Sequence, residues 1–76
     1  MAIERADILQ ALYASEINFS LATFWDLGVD WKLGDEQNGF PAQGRAQSVG
    51  GAIIALANAA LEHFPNSEFA ARFRGR

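Results

Sequence analysis

Seventy-six residues suffice for a single domain, residues 1–76, and half of them are hydrophobic by count. Nine Asp/Glu against six Lys/Arg give a formal charge of −3, and Lys32 is the sole lysine, which argues against direct nucleic-acid binding because phosphate neutralisation needs a basic face. There is no cysteine, which excludes disulfides and thiolate metal sites, and no apolar run approaches the ~18 residues that span a bilayer.

Of the 38 hydrophobic residues 14 are alanine, leaving 24 larger side chains, nine of them aromatic, to fill a core. A chain this short buries only roughly 60% of the surface that its unfolded form exposes. Binding a protein partner, or pairing with a second copy, is therefore an expected source of extra stability.

In chain order, the first predicted element is a helix over about residues 4–15. Ile8, Leu9 and Leu12 fall at helical spacing, with Ala6, Leu9 and Tyr13 as a neighbouring row, and Asp7 with Gln10 offers a capping box that would start the helix a turn later. From Ile17 the period becomes two. Ile17, Phe19, Leu21, Thr23 and Trp25 alternate with Asn18, Ser20, Ala22, Phe24 and Asp26, the pattern of a half-buried strand. Asp26-Leu27-Gly28 reads as a three-residue hairpin loop, which pairs Trp25 with Val29, Thr23 with Trp31 and Leu21 with Leu33 on the core face. The other face then holds Phe24, Asp30, Ala22 and Lys32.

Gly34–Gly39 is a turn cluster. A third strand follows over about residues 40–46, with Phe40, Ala42 and Ala46 inward and Pro41 favouring an edge position. Ser48 caps a long helix to about Phe64, with Val49, Ala52, Ile53, Leu56 and Ala60 as its core stripe and Gly50-Gly51 allowing close approach. Pro65 ends it, and Asn66 or Ser67 caps a short turn in which Phe69 and Phe73 share a face. The predicted fold is α+β: helix, three-stranded antiparallel meander and helix (αβββα), with a short C-terminal helical turn and the helices on one face of the sheet.

The chemical inventory is thin. His63, the single histidine, stands at the end of the long helix, where its expected role is to meet the last carbonyls. No carboxylate lies one helical turn from it, so no zinc site is expected. Asp26, Asp30, Asp35 and Glu36 read as a solvated rim, and Arg72, Arg74 and Arg76 as a solvated C-terminal end. Gly50-Gly51 matches neither a dinucleotide fingerprint nor a P-loop. The expectation is no catalytic residue, no metal and no cofactor. The charged segment Met1–Asp7 has no signal-peptide apolar run, so the expected location is the cytoplasm, with no membrane contact.

Two features suggest interaction instead. Ile54, Ala57 and Leu61 form a second apolar stripe on the long helix, which either the first helix and the Phe69/Phe73 turn cover or a partner does. Phe24 is an aromatic on the polar face of the meander, flanked by Asp26 and Asp30. These six are the candidate interaction residues.

The element order resembles that of the double-stranded-RNA-binding domain, whose second helix begins with lysines. Here that stretch is Ser48-Val49-Gly50-Gly51-Ala52, without positive charge, so the resemblance implies the topology alone. Asp26-Leu27-Gly28-Val29-Asp30-Trp31-Lys32-Leu33, followed by Phe40-Pro41-Ala42-Gln43-Gly44 and an alanine-rich helix, is similar to the meander-helix core of HicB-type antitoxins over residues 24–61. This chain departs from that pattern in its N-terminal helix, in lacking a proline-flanked turn before the third strand and in lacking a DNA-binding extension. That resemblance, and a likeness to short bacterial and phage proteins, implies a small neutralising partner. The expected function is a non-catalytic module that binds or inhibits a protein. The competing expectation is a homo-oligomeric enzyme or ligand-binding protein with a subunit-interface site around His63 and Asp30.

Overall fold

A computed structural model describes residues 5–74. Its elements are α1 (Arg5–Ala14), β1 (Phe19–Phe24), β2 (Gly28–Asp35), β3 (Gly39–Ala46), α2 (Val49–His63) and α3 (Glu68–Arg74). The α+β order is the one the hydrophobic periods predict.

In α1 the period buries Ile8, Ala11 and Leu12. Tyr13, expected on a neighbouring apolar row, is exposed, and Asp7 lies inside the helix instead of capping a later start. Ala6, Arg74 and Arg76 lie outside the residues whose surroundings are described. The helix ends in a Schellman motif: the Ile17 N–H donates to the Leu12 carbonyl at 3.0 Å and the Glu16 N–H to that of Tyr13 at 3.1 Å. Glu16 adopts the left-handed backbone this motif needs, at φ 61°. The motif turns the chain so that Ile17, also buried, enters the core beside Leu12.

The strands form a meander in the order β1-β2-β3, both pairs antiparallel. Odd positions in β1 and β2 face the helices, with Val29 and Leu33 buried. The opposite face is open, and Ser20, Ala22, Phe24, Lys32, Gln43 and Arg45 on it are all exposed.

The register corrects the expected pairing by two residues. Thr23 lies opposite Val29, Leu21 opposite Trp31 and Phe19 opposite Leu33. The loop is Trp25-Asp26-Leu27, closed by the Leu27 N–H on the Phe24 carbonyl at 3.0 Å. Gly28 is not in it but opens β2 at φ 118°, where a Cβ would come within 2.5 Å of the Ala46 carbonyl oxygen. Trp25, expected opposite Val29 in the core, is thereby pushed out of the sheet to the hairpin tip.

In β3, Ala42 faces inward opposite Leu33 and Ala46 opposite Val29, as expected. Phe40 does not. The register shifts between Leu33 and Asp35, placing an extra residue in β3, and Phe40 lies beneath the Lys32 ammonium, 5.3 Å from the ring centroid.

The Ser48 hydroxyl caps α2 by accepting the Gly51 N–H at 3.0 Å. Ala52, Ile53, Leu56, Ala59 and Ala60 are buried against the sheet. Val49, expected in that stripe, is exposed, because it is the first helical residue, where the chain has just left β3. Ser67 caps α3, accepting the Ala70 N–H at 3.1 Å while donating to the Phe64 carbonyl at 2.8 Å. This turn sets Phe69 into the core at 1% exposure, its ring centroid 4.6 Å from that of Phe73. Phe69, Leu12, Leu33 and Leu56 are the largest enclosed side chains, so all three helices and the central strand meet at one cluster. The result is a thin two-layer slab of 36 × 35 × 17 Å.

Candidate functional site

The turn closed by Phe24 and Leu27 holds four consecutive exposed side chains, three of them large and apolar. Trp25 is 98% exposed, Leu27 60% and Phe24 43%, with Asp26 exposed between them. Across a groove of about 440 Å³ stands Val49, 47% exposed at the start of α2, and Thr23 and Gln47 line the sides. The hairpin tip and the helix start therefore make one apolar rim around a shallow depression. An isolated exposed Leu or Phe is ordinary on a protein surface, whereas a fully exposed Trp with Phe24 beside it and Leu27 in the same turn is a patch.

Of the six expected interaction residues, the structure brings Phe24 and Asp26 together at this tip. Asp30 lies on the open face of the sheet, opposite Ala22 and clear of the turn. Its carboxylate receives Nε of Arg45 at 2.5 Å and Nη2 at 3.2 Å, a bidentate pair across β2 and β3. The hydrogen bond from Arg45 holds the Asp30 carboxyl below the ordinary aspartate value, and the same bond raises Arg45. Asp30 is thus occupied within the sheet.

Ile54, Ala57 and Leu61 lie on α2, in the other layer. Ala57 and Leu61 are half-buried and packed on the core, so the neighbouring helices cover much of the expected second stripe, while Ile54 stays exposed. His63 is exposed at the last residue of α2. Among the described residues, no three His, Asp or Glu side chains gather as a metal would need.

A second cavity, of about 620 Å³, opens between the end of α1, the β2–β3 turn and Phe64. Its polar wall includes Asp35, expected as a solvated rim carboxylate, which is partly exposed and also hydrogen-bonded within the chain. Asp35 Oδ2 accepts Asn18 Nδ2 at 2.7 Å, and Oδ1 accepts the Asn38 N–H at 2.7 Å. The bond from Asn18 is the main reason that the Asp35 carboxyl lies below its ordinary value, with Asn38 adding to it. The chain itself thus provides partners for both carboxylate oxygens, tying the α1–β1 connection to the β2–β3 turn.

Residues that sequence reasoning missed are Trp25, Leu27 and Val49. The available signal was an apolar pair, Trp25 and Leu27, on either side of an aspartate in a turn. Alternation reads such a tryptophan as one more core position. No protein-family model matches the chain, and no curated protein or solved structure gives a match either. The hairpin tip is therefore identified by its geometry alone.

Proposed function

We propose that this chain is a non-catalytic protein-binding module whose contact surface is the β1–β2 hairpin tip with the start of α2. The observation that carries the reading is Trp25 at 98% exposure, held by a hydrogen-bonded turn between exposed Phe24 and Leu27. Tryptophan is the residue type most enriched among those that dominate binding energy, and it does so when a partner's pocket encloses it. The partner expected is a protein with an apolar pocket edged by positive charge, because Asp26 sits in the middle of the tip and the whole chain carries −3. The same charge disfavours an anionic lipid surface. An inhibitor or antitoxin would work this way, by inserting a rigid tip into a functional cleft of its target.

The test is capture from a lysate of the source or host cell with the tagged chain, comparing the parent with Trp25→Ala and Ile54→Asp. A partner at near-equal stoichiometry should bind the parent and the Ile54 variant alike. Trp25→Ala should weaken it at least about 30-fold, the equivalent of about 2 kcal/mol for an anchoring residue. Equal capture by the parent and the Trp25 variant would overturn the assignment of the tip.

A further inference from the structure

We infer that β1 is the pairing edge of a twofold-symmetric homodimer, in which β1 lies antiparallel to β1 of a second copy with Leu21 opposite Leu21. The dimer uses the outward edge of β1, which meets the wall of the hairpin-tip groove only at Thr23; dimer loss is read as mass and tip loss as partner capture, so either can fail alone.

A three-stranded meander has two edges, and here they differ. β3 is blunted in the ways that prevent strand addition: Pro41 lacks an N–H, the register shifts beside it, and exposed Arg45 brings charge. β1 has none of these. Its sequence, Phe19-Ser20-Leu21-Ala22-Thr23-Phe24, carries no charge, no proline and no glycine, and its pairing with β2 is unbroken over all six residues. An unprotected edge of this kind is a template for another strand.

The hydrogen-bond phase decides the register. The Gly34 N–H donates to the Asn18 carbonyl at 2.7 Å, and these two residues continue the Phe19↔Leu33 pairing as direct opposites. Directly opposite residues that share a hydrogen bond mark the closely bonded pairs of an antiparallel ladder, which recur at every second residue. The even residues of β1 therefore bond to β2, and Phe19, Leu21 and Thr23 turn their N–H and C=O groups toward the free edge.

An axis at Leu21 sets Phe19 opposite the partner's Thr23 and Leu21 opposite the partner's Leu21. All three outward N–H groups and all three outward carbonyls of each copy then pair, giving six hydrogen bonds. An axis at Ala22 would instead set Phe19 opposite Trp25, which has already left the strand. The side chains agree with the Leu21 register. On the helix side Phe19 and Leu21 are only half-buried and Thr23 is exposed, and pairing covers them with their own counterparts. On the open face Ser20 meets Ala22, so no like charges oppose each other, which is what makes a second copy the fitting occupant. The two hairpin tips would point to opposite ends of a six-stranded sheet.

Light scattering after size exclusion should give twice the 8.3 kDa chain mass at about 100 μM. Thr23→Pro removes one outward N–H from each copy without touching the ladder to β2, and Ser20→Lys with Ala22→Lys sets lysines opposite lysines at exposed positions. Both should halve the mass while circular dichroism is unchanged. Amide exchange of the parent checks the same point without a variant: the Leu21 and Thr23 amides should be protected at least 100-fold more at high than at low protein concentration. A parent that stays at 8.3 kDa, a dimer that survives both variants, or concentration-independent exchange at Leu21 and Thr23 would overturn the inference.

Discussion

The indole of Trp31 occupies the space that a side chain at Gly44, directly across the sheet, would need. A Cβ at position 44 would lie 3.0 Å from Trp31 Cζ2, 3.1 Å from Cε2 and 3.2 Å from Nε1. The tryptophan belongs to the helix-side packing, so its ring cannot retreat without disturbing its neighbours. Gly44→Ala should cost about 1–3 kcal/mol, the usual range for overpacking. The check is urea denaturation, with a lower midpoint at unchanged slope.

Glu16 poses the opposite case, a residue whose replacement should help. It holds φ 61° at the end of α1, where a side chain is strained and glycine is not. Glu16→Gly should stabilise by about 0.5–1 kcal/mol, the left-handed strain relieved less the extra chain entropy of glycine. For a domain of this size the melting temperature should rise by roughly 2–8 °C.

Asp35 should make acid stability depend on Asn18. The folded-state pKa is depressed, so the contribution is present above the ordinary value of 3.8 and is lost as pH falls through the lower folded value. Asn18→Ala removes the largest cause of the depression. A carboxyl titration followed by NMR should show the Asp35 midpoint below 3.8 in the parent and moved up toward it in the variant. The variant should be less stable than the parent at pH 7, and the gap should close once both carboxyls are protonated.

Phe69→Ala should be the most damaging single truncation in the C-terminal half. It empties a site where α3 meets the central cluster, at a typical cost of about 3–5 kcal/mol. That is a large share of the roughly 4–11 kcal/mol expected for a domain of this length. Phe73→Ala, at a half-buried position on the same face, should cost clearly less, and thermal melts of the pair would rank them.

Element order and the inward faces of the strands are legible in the chain because periods of two and 3.6 leave plain marks in it. The register is less so. A slip of two residues keeps every side chain on its face, so hydrophobic sorting accepts either pairing of Phe19 through Val29. What decides is local backbone geometry at Gly28, which serves the strand and not the loop. Phe40 is misread for a similar reason, since an extra residue in β3 reverses the face that alternation assigns. The Asp35 network is half legible: Asp35 and Asn38 are three apart, a common turn spacing, but Asn18 is 17 residues away and only the fold brings it there. The site is the least legible part, because an apolar residue reserved for a partner looks in sequence like one reserved for the core. Val49, Trp25 and Leu27 all carry that ambiguity.

The opposite environments of the two tryptophans make the molecule its own optical probe. Trp25 stands in water and Trp31 is packed between sheet and helix, and the chain has no other indole. Red-edge emission therefore reports on the hairpin tip, and the bluer component reports on the fold. A partner that encloses the tip should shift and protect only the first from quenching by iodide, while unfolding moves the second. Binding and stability can thus be followed in one cuvette, without a label.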